Sequence, residues 1–194
     1  MEKVIVTDSS AKWDAIYSQK VVEPRASLVL EQNKHLLPSQ GVALDLACGQ
    51  GGNALLLAQV GLSVSAWDSS SVAIEQLSHF AESIGVSIDA QVRDVIQSPP
   101  EEASIDVLVV SCFLDRTLCS DLIKALKPGG LLFYQTYCQE KVGQQGPTNP
   151  DYLLANNELI TLFKSMSLRV YREESLLGNH QQGWRNQALL VAER

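Results

Sequence analysis

A glycine-rich turn flanked by acidic residues occupies residues 45–54, which read DLACGQGGNA. Glycine is needed where the backbone must turn tightly with positive φ, or where a ligand approaches so closely that a Cβ would be in the way. Asp68 follows 19 residues after Gly49, where nucleoside-binding α/β proteins place an acid that accepts hydrogen bonds from both ribose hydroxyls. The spacing therefore predicts a loop that binds a nucleoside-containing ligand.

The glycine spacing fits two kinds of cofactor. Residues 49–54 satisfy the G-x-G-x-x-G/A pattern of NAD-binding proteins, in which a pyrophosphate lies at a helix N-terminus. S-adenosylmethionine instead carries an ammonium and a sulfonium, and Asp45 beside the loop suits a cationic ligand. Asp94, after the third predicted strand, and the Lys-Pro-Gly-Gly turn at 127–130 also favour S-adenosylmethionine.

The elements that position this loop alternate along the chain. From about residue 42, apolar runs alternate with helical patterns, which predicts an α/β protein with helices on both faces of a parallel sheet. Strands are predicted at 42–46, 62–67, 86–92, 105–110, 131–136, 168–174 and 187–192. Helices are predicted at 11–19, 26–36, 52–59, from the cap at 69–71 to Gly85, 118–126 and 158–166. The last two strands are expected to form a β-hairpin.

The length of 194 residues predicts a single domain spanning 1–194. Residues 1–36 are expected to form N-terminal helices and a cofactor flap. In that flap Trp13 and Tyr17, four residues apart, either cover the cofactor or form a packing stripe. Residues 138–155 are rich in Gln, Gly, Pro and Asn, and a loop of this length in a compact domain is predicted to be a lid.

Composition and charge argue against several classes of protein. The net charge of −7 disfavours a nucleic-acid partner, because such proteins usually have a basic face. The apolar runs are far shorter than the roughly 20 residues of a membrane helix, and the N-terminus lacks a signal-peptide pattern, so a cytoplasmic protein with no membrane partner is expected. The four cysteines show no C-x-x-C pairing, which predicts reduced thiols and no metal site.

The chain resembles the class I S-adenosylmethionine-dependent methyltransferases, and among them the small tellurite-resistance-type methyltransferases. The most specific parts of the resemblance are residues 44–53, 113–116 and 126–130, which read LDLACGQGGN, FLDR and LKPGG. The resemblance implies a Rossmann-like, doubly wound sheet of seven strands in the order 3-2-1-4-5-7-6, with strand 7 antiparallel. It also implies S-adenosylmethionine as the cofactor and a small molecule as the methyl acceptor.

The same resemblance implies roles for individual residues. Asp68 would hold the ribose, Asp94 would meet the adenine amino group, and Ser111 would lie near the methionyl end of the cofactor. Residues that would shape the methionine pocket are Asp45, Gly49 and Gly51, with Asn53 bracing the loop. The further cofactor contacts that it implies are Trp13, Tyr17, Ala47, Ser69 and Val95.

Methyl transfer from a sulfonium is a displacement with a neutral leaving group, so the protein mainly has to align the reacting atoms and exclude water. A dedicated catalytic residue is therefore not required, although a hydroxyl or amine acceptor would need a general base within reach. Candidates for contact with the acceptor are Arg116, Tyr137 and His180. Cys48, Cys112 and Cys138 follow predicted strands, and they either line a thiol-rich cleft or pack as small buried hydrophobes.

The sequence leaves more than one function open. The leading prediction is methyl transfer to a thiol, a thiopurine-like compound or a metalloid oxyanion. The alternatives are a catalytically silent scaffold protein that binds S-adenosylmethionine, and an NAD-dependent oxidoreductase, which the glycine pattern alone supports. The sequence does not decide between a monomer and a homodimer.

Overall fold

A computed structural model of the chain describes residues 8–19 and 22–194. Its sheet has seven strands in the order β3-β2-β1-β4-β5-β7-β6. The strands are β1 (Val42–Leu46), β2 (Ser63–Asp68), β3 (Ile88–Val92), β4 (Ile105–Ser111), β5 (Leu126–Tyr137), β6 (Ser167–Arg172) and β7 (Gln187–Glu193). The first five strands are parallel, and β7 runs antiparallel to both β5 and β6. The predicted α/β fold, strand order and terminal hairpin are confirmed.

The central strand β4 separates two apolar layers. Val107 and Val109 face the layer that contains Phe133, whereas Leu108 and Val110 face the other layer. All four β4 side chains are fully buried. A parallel strand with helices on both faces is apolar at nearly every position for this reason, and the apolar run at 105–110, broken only by Asp106, is the sequence signal for it.

The helices in the described residues are α1 (Asp8–Ser18), α2 (Leu28–Asn33), α3 (Gly52–Gln59), α4 (Ser71–Ile84), α5 (Cys119–Ala125) and α6 (Glu158–Leu162). Short 3₁₀ turns follow at 34–36 and 150–152. Helix α4 begins at the predicted serine cap, where the Ser70 hydroxyl accepts a hydrogen bond from the Ala73 amide, and it ends at Gly85 with φ of +72°. Residues 1–7 and 20–21 of the predicted N-terminal segment lie outside the described residues.

Two elements differ from the prediction. Helix α6 stops at Leu162 instead of continuing to 166, because Phe163 and Met166 turn into the apolar core, where Phe163 packs on Tyr134 with ring centroids 5.4 Å apart. The predicted turn at 127–130 is a bulge within β5. Ile105 pairs with Leu126 and Val107 pairs with Leu131, so four residues lie outside the register.

The connection between β3 and β4, residues 93–104, contains no helix. Arg93 stacks over the Trp67 ring, with its guanidinium carbon 3.7 Å from the ring centroid. Its Nε donates to the Ser98 carbonyl at 2.9 Å, and its Nη2 donates to the Pro99 carbonyl at 3.1 Å. A stacked arginine thus fastens this loop to β2. Among the described residues, we find no helix that is long and apolar enough to cross a membrane.

Candidate cofactor and acceptor site

The glycine loop leaves β1 in a conformation that only some residues can adopt. Ala47, Gly49 and Gly51 have φ of +54°, +51° and +80°, in the left-handed region that favours glycine. A Cβ on Gly49 would lie 2.6 Å from the Tyr17 hydroxyl oxygen, and a Cβ on Gly51 would lie 2.2 Å from a methyl carbon of Leu77. Both predicted glycines are therefore needed for their conformation and for close packing.

Asp68 ends β2 and holds the loop through its carboxylate. One oxygen accepts the Gly49 amide at 2.8 Å, and the other accepts the Ser70 amide at 2.9 Å. The side chain is buried, and this burial raises the pKa of Asp68 above its ordinary value, while the backbone hydrogen bonds oppose the shift. The Ser69 backbone amide also hydrogen-bonds with this carboxylate. The two carboxylate oxygens can accept about four hydrogen bonds in all, so Asp68 keeps acceptor capacity for the ribose.

Asp45 lies behind the loop and is fully buried. Its two oxygens accept the Asn53 side-chain amide at 3.2 Å and the Ala54 backbone amide at 3.1 Å. Burial raises the pKa of Asp45 to about 7 despite these hydrogen bonds. Asn53 also donates to the Ser111 hydroxyl at 3.0 Å and accepts from Ser27 at 2.8 Å. Asp45 and Asn53 therefore join the ends of β1 and β4 to the start of α3.

A cavity opens at the carboxyl ends of β1, β2 and β4, the place where open α/β sheets bind their ligands. It is lined by Trp13, Tyr17, Ala47, Asp68, Ser69, Arg93, Asp94, Val95, Ile96, Ser111, Cys112 and Phe113. Eight predicted cofactor residues are in this set. The other four, Asp45, Gly49, Gly51 and Asn53, form the loop and its support, just described. For all twelve residues, contact with a cofactor stays a prediction.

Arg93, Ile96 and Phe113 line the cavity without having been predicted to do so. Each is close in sequence to a predicted residue, since Arg93 and Ile96 flank Asp94 and Val95 and Phe113 lies two residues after Ser111. Reading the entire segment after each strand, instead of single motif positions, would have found them. Asp94 itself forms a turn, because one of its oxygens accepts the amides of Ile96 and Gln97.

Helix α1 packs on the N-terminal end of α4. Asp14 accepts hydrogen bonds from the Ser70 hydroxyl at 2.6 Å and the Val72 amide at 3.3 Å, and the Gln76 side chain donates to the Tyr17 carbonyl at 3.1 Å. Trp13 stacks with Tyr17 at 6.0 Å between ring centroids, and both line the cavity. The two rings therefore pack together and face the cavity at once.

Only one of the three cleft cysteines is at the cavity. Cys112 is exposed with φ of +56° and lines the cavity, whereas Cys48 and Cys138 are buried. Burial raises the pKa of the Cys48 and Cys138 thiols, to about 12 for Cys138. Cys48 and Cys138 thus pack as buried thiols, and Cys112 is the thiol that a ligand in the cavity can reach.

Two of the predicted acceptor residues are held away from the cavity. Arg116 forms an ion pair with Glu158 at 2.6 Å and donates to the Asp151 and Leu153 carbonyls at 2.5 and 3.0 Å. His180 Nε2 lies 2.6 Å from the Leu176 carbonyl oxygen, in the exposed connection between β6 and β7. Arg116 therefore contacts the 138–155 segment. Contact of either residue with an acceptor stays a prediction.

Tyr137, the third predicted acceptor residue, ends β5 next to the cavity wall. Its side chain hydrogen-bonds with Gln187 and with Cys112. Burial raises the pKa of the Tyr137 hydroxyl above its ordinary value, so the hydroxyl keeps its proton at neutral pH. Within the described residues, no group of three His, Cys, Asp or Glu side chains is arranged to hold a metal ion.

The comparison with protein families gives one match. Residues 43–130, somewhat less than half of the chain, match a family described as methyltransferase domain. That segment contains the glycine loop, Asp68, Asp94 and Ser111. No curated protein sequence matches the chain at a significant level.

Solved structures with the same fold include several methyltransferases. TehB from Haemophilus influenzae is 22% identical, with a TM-score of 0.71, over 94% of this chain and 67% of that chain. Geranyl diphosphate C-methyltransferase from Streptomyces coelicolor A3(2) is 13% identical, with a TM-score of 0.69, over 97% and 99% of the two chains. An S-adenosylmethionine-dependent methyltransferase from Aquifex aeolicus is 13% identical, with a TM-score of 0.64, over 86% and 89%. At these identities, the likeness shows the fold.

Proposed function

We propose that this chain is an S-adenosylmethionine-dependent methyltransferase with the class I fold, and that it methylates the sulfur of a small thiol or thiopurine-like compound. When bound, S-adenosylmethionine supplies an activated methyl group, whose bond to the sulfonium breaks as the acceptor sulfur bonds the methyl carbon, with the electron pair staying on the cofactor. The thiol proton of the acceptor leaves to water. The residues of this chain bind the two substrates, align the acceptor sulfur with the methyl carbon, and exclude water from the site.

The residues of the cavity fit this cofactor. Asp68 lines the cavity and keeps acceptor capacity for the ribose hydroxyls. Gly49 and Gly51 allow the left-handed turns that bring the loop to the cavity side of α3. Asp94 keeps its carboxylate at the cavity, where it can accept from the adenine amino group. Asp45 contributes a buried negative charge, when ionised, behind the pocket for the cationic end.

The observation that carries the proposal is that the described residues on the acceptor side of the cavity include no free base. Among the described lining residues there is no histidine, and the two carboxylates, Asp68 and Asp94, follow β2 and β3 at the cofactor side. We assign Cys112 and Phe113, which follow Ser111 at the proposed methionyl end, to the acceptor side. A hydroxyl or an amine would need a general base, whereas a thiol ionises near neutral pH and is a strong nucleophile without one.

The charges of the cavity favour a thiol over a metalloid oxyanion. An oxyanion is normally bound by free guanidinium or ammonium groups. The one cationic side chain among the described lining residues is Arg93, which is stacked on Trp67 and bonded to two carbonyls. Arg116 is occupied by Glu158 and by the loop that follows β5. An oxyanion would therefore have to break existing contacts to be neutralised.

The test combines cofactor binding with an acceptor panel. Titration calorimetry with S-adenosylmethionine, S-adenosylhomocysteine and NADH is followed by transfer of labelled methyl groups to thiophenol, 6-mercaptopurine, tellurite and a simple amine. We expect binding of the first two ligands and methylation of the two sulfur compounds. Methylation confined to tellurite or the amine contradicts the acceptor assignment, and cofactor binding with no turnover on any compound favours the scaffold alternative.

Asp68→Ala provides the matched test of the cofactor assignment. Loss of two hydrogen bonds to a charged group is expected to weaken S-adenosylmethionine binding at least about tenfold. Asp89→Ala, an exposed position on β3, is the control and keeps the parent affinity. The melting temperature of each variant shows that the fold is intact, and an unchanged affinity of Asp68→Ala would refute the ribose assignment.

A further inference from the structure

A chain of side-chain amides runs from the start of α2 to the acceptor side of the cavity. The Val29 backbone amide donates to Gln135 Oε1 at 2.8 Å, and Gln135 Nε2 donates to Gln187 Oε1 at 2.7 Å. Gln187 Nε2 then lies 4.0 Å from the sulfur of Cys112. The Gln187 side chain also hydrogen-bonds with the Tyr137 hydroxyl.

This chain fixes which end of the Gln187 amide faces the cavity. A backbone N–H can only donate, so Gln135 must present its oxygen to Val29 and its NH₂ group to Gln187. Gln187 must therefore present its oxygen to Gln135, so its NH₂ group faces the Cys112 sulfur and the Tyr137 hydroxyl. Because Gln135 is buried, water cannot readily take the place of either partner. The orientation of the Gln187 amide therefore follows from which atoms of Val29, Gln135 and Gln187 can donate and which can accept.

The donors meet at the edge of the cavity. Tyr137 and Gln187 are direct partners in the antiparallel pair β5–β7, and both side chains are partly accessible. The sulfur of Cys112, which lines the cavity, is next to both. Gly146 covers the Tyr137 ring so closely that a Cβ there would lie 2.5 Å from a ring carbon, so the 138–155 segment closes this corner from outside.

We propose that the Gln187 amide and the Tyr137 hydroxyl, which now donate to the sulfur of Cys112, form a pair of donors that binds the acceptor's sulfur in place of Cys112, with Gln135 acting as the positioning residue for Gln187. The inference rests on the proposed function, because it names the groups that receive a thiol. Two donors stabilise a negatively charged sulfur more than a neutral thiol. The pair thus favours the thiolate, and it holds a lone pair of the sulfur toward the methyl donor.

Two substitutions of Gln187 separate this role from a structural one. Gln187→Glu keeps an oxygen for Gln135 but replaces the donor that faces the cavity with a carboxylate oxygen. Gln187→Met removes both interactions and leaves the cavity side without charge. A merely structural role predicts that the glutamate variant is the better of the two, whereas a role as thiolate donor predicts the reverse order. Gln91→Glu and Gln91→Met on β3, the opposite edge of the sheet, serve as controls.

The experiment measures kcat and KM for thiophenol in the four variants, with the affinity for S-adenosylmethionine determined in parallel. We expect Gln187→Met to lose about tenfold in kcat/KM, from one charge-assisted hydrogen bond, and Gln187→Glu to lose more. Cofactor affinity and melting temperature should stay near the parent values in the glutamate variant. Tyr137→Phe should lower kcat/KM for thiophenol in the same direction, again without changing cofactor affinity.

The outcomes distinguish the two proposals. If the parent protein methylates thiophenol and Gln187→Glu is as active as the parent, the donor pair is refuted while the proposed function stands. If Gln187→Glu loses activity only in proportion to cofactor affinity, the residue is structural and the inference is again overturned. If the parent binds S-adenosylmethionine but methylates only acceptors without sulfur, both the proposed acceptor class and the donor pair are wrong.

Discussion

The two buried carboxylates near the glycine loop have different surroundings and different uses. Asp68 lines the cavity and accepts one backbone amide on each oxygen. Asp45 is closed off by Asn53 and Ala54, and it does not line the cavity. The burial of Asp45 follows from its place on β1, between Leu44 and Leu46. The buried Asp45 side chain is therefore stabilised by hydrogen bonds from Asn53 and Ala54, which follow the glycine loop.

Substitutions of Gly51 and Gly85 by alanine separate two effects of an added methyl group, which are backbone strain at positive φ and steric overlap with neighbouring side chains. Both have positive φ, +80° and +72°, but a Cβ on Gly51 would meet buried Leu77, whereas a Cβ on Gly85 would meet no atom within 4 Å. Gly51→Ala is expected to lower the free energy of unfolding by about 2–4 kcal/mol, and Gly85→Ala by about 1 kcal/mol. Denaturant unfolding measures both, and equal losses would contradict the packing argument.

At the scale of secondary structure, one arginine side chain ties the far end of the loop that follows β5 to the segment after β4. Arg116, just after β4, contacts Glu158 at the start of α6 and the carbonyls of Asp151 and Leu153. Beside these contacts, residues 138 and 154 form an isolated parallel bridge. The loop is thus fastened between α6 and the end of β5, while its middle part packs against Tyr137 through Gly146.

Arg116→Met should loosen this attachment without affecting the cofactor. The Leu154 amide donates to the Tyr137 carbonyl at 2.9 Å, and we expect its hydrogen exchange to become roughly three- to tenfold faster in the variant. Arg169→Met removes an exposed ion pair with Glu193 on the hairpin and is the control. Unchanged exchange at Leu154 would show that the arginine does not hold the loop.

The sequence predicted the elements that local patterns specify. Strand β1 and helix α3 have the predicted bounds, 42–46 and 52–59, because an apolar run and a glycine turn define their ends. The bulge at 127–130 and the early end of α6 were not predicted. The first depends on how β5 pairs with β4, and the second on space in the core for Phe163. Both depend on contacts between distant parts of the chain, which local sequence patterns do not predict.

The same limit applies to the site. The glycine loop and Asp68 form a local motif, which made them predictable. Gln135 and Gln187 were missed, because their contact depends on the antiparallel register of β5 and β7 and spans 52 positions. The orientation of Gln135 depends on Val29, which is 106 positions away. Isolated glutamines in apolar strands are therefore worth examining for long-range partners.

For the molecule as a whole, the strand order places the cofactor residues and the proposed acceptor residues on different halves of the sheet. Residues assigned to the cofactor follow β1, β2 and β3, and the proposed donors for the acceptor lie on β5 and β7. The segment after β4, with Ser111, Cys112 and Phe113, borders both. The central position of β4 thus places the methyl donor and acceptor at adjacent strand ends.

The buried Asp45 gives the stability of the whole molecule a pH dependence of known sign. Burial raises the pKa of Asp45 from 3.8 to about 7, so the folded chain holds this proton more tightly than the unfolded chain. The contribution to the free energy of unfolding is fully present below about pH 4 and is lost as the pH rises to about 7. Its size is on the order of a few kcal/mol.

Asp45→Asn should remove this contribution. We expect the free energy of unfolding of the variant to vary less between about pH 4 and pH 7 than that of the parent, as measured by denaturant titrations at several pH values. Asp89→Asn, on the exposed edge of β3, controls for the removal of a carboxylate. Parallel curves for the parent and Asp45→Asn would show that Asp45 is ionised throughout this range in the folded protein.

The placement of the tryptophans gives this protein an intrinsic optical signal. Trp13 is 39% exposed and lines the cavity, whereas Trp67 and Trp184 are 9% and 6% exposed. The chain contains three tryptophans in all. A ligand that fills the cavity changes the polarity around the exposed indole of Trp13, whereas Trp67, which is stacked with Arg93, and Trp184 are buried. Fluorescence emission from Trp13 can therefore follow occupancy of the cavity in real time, without a label.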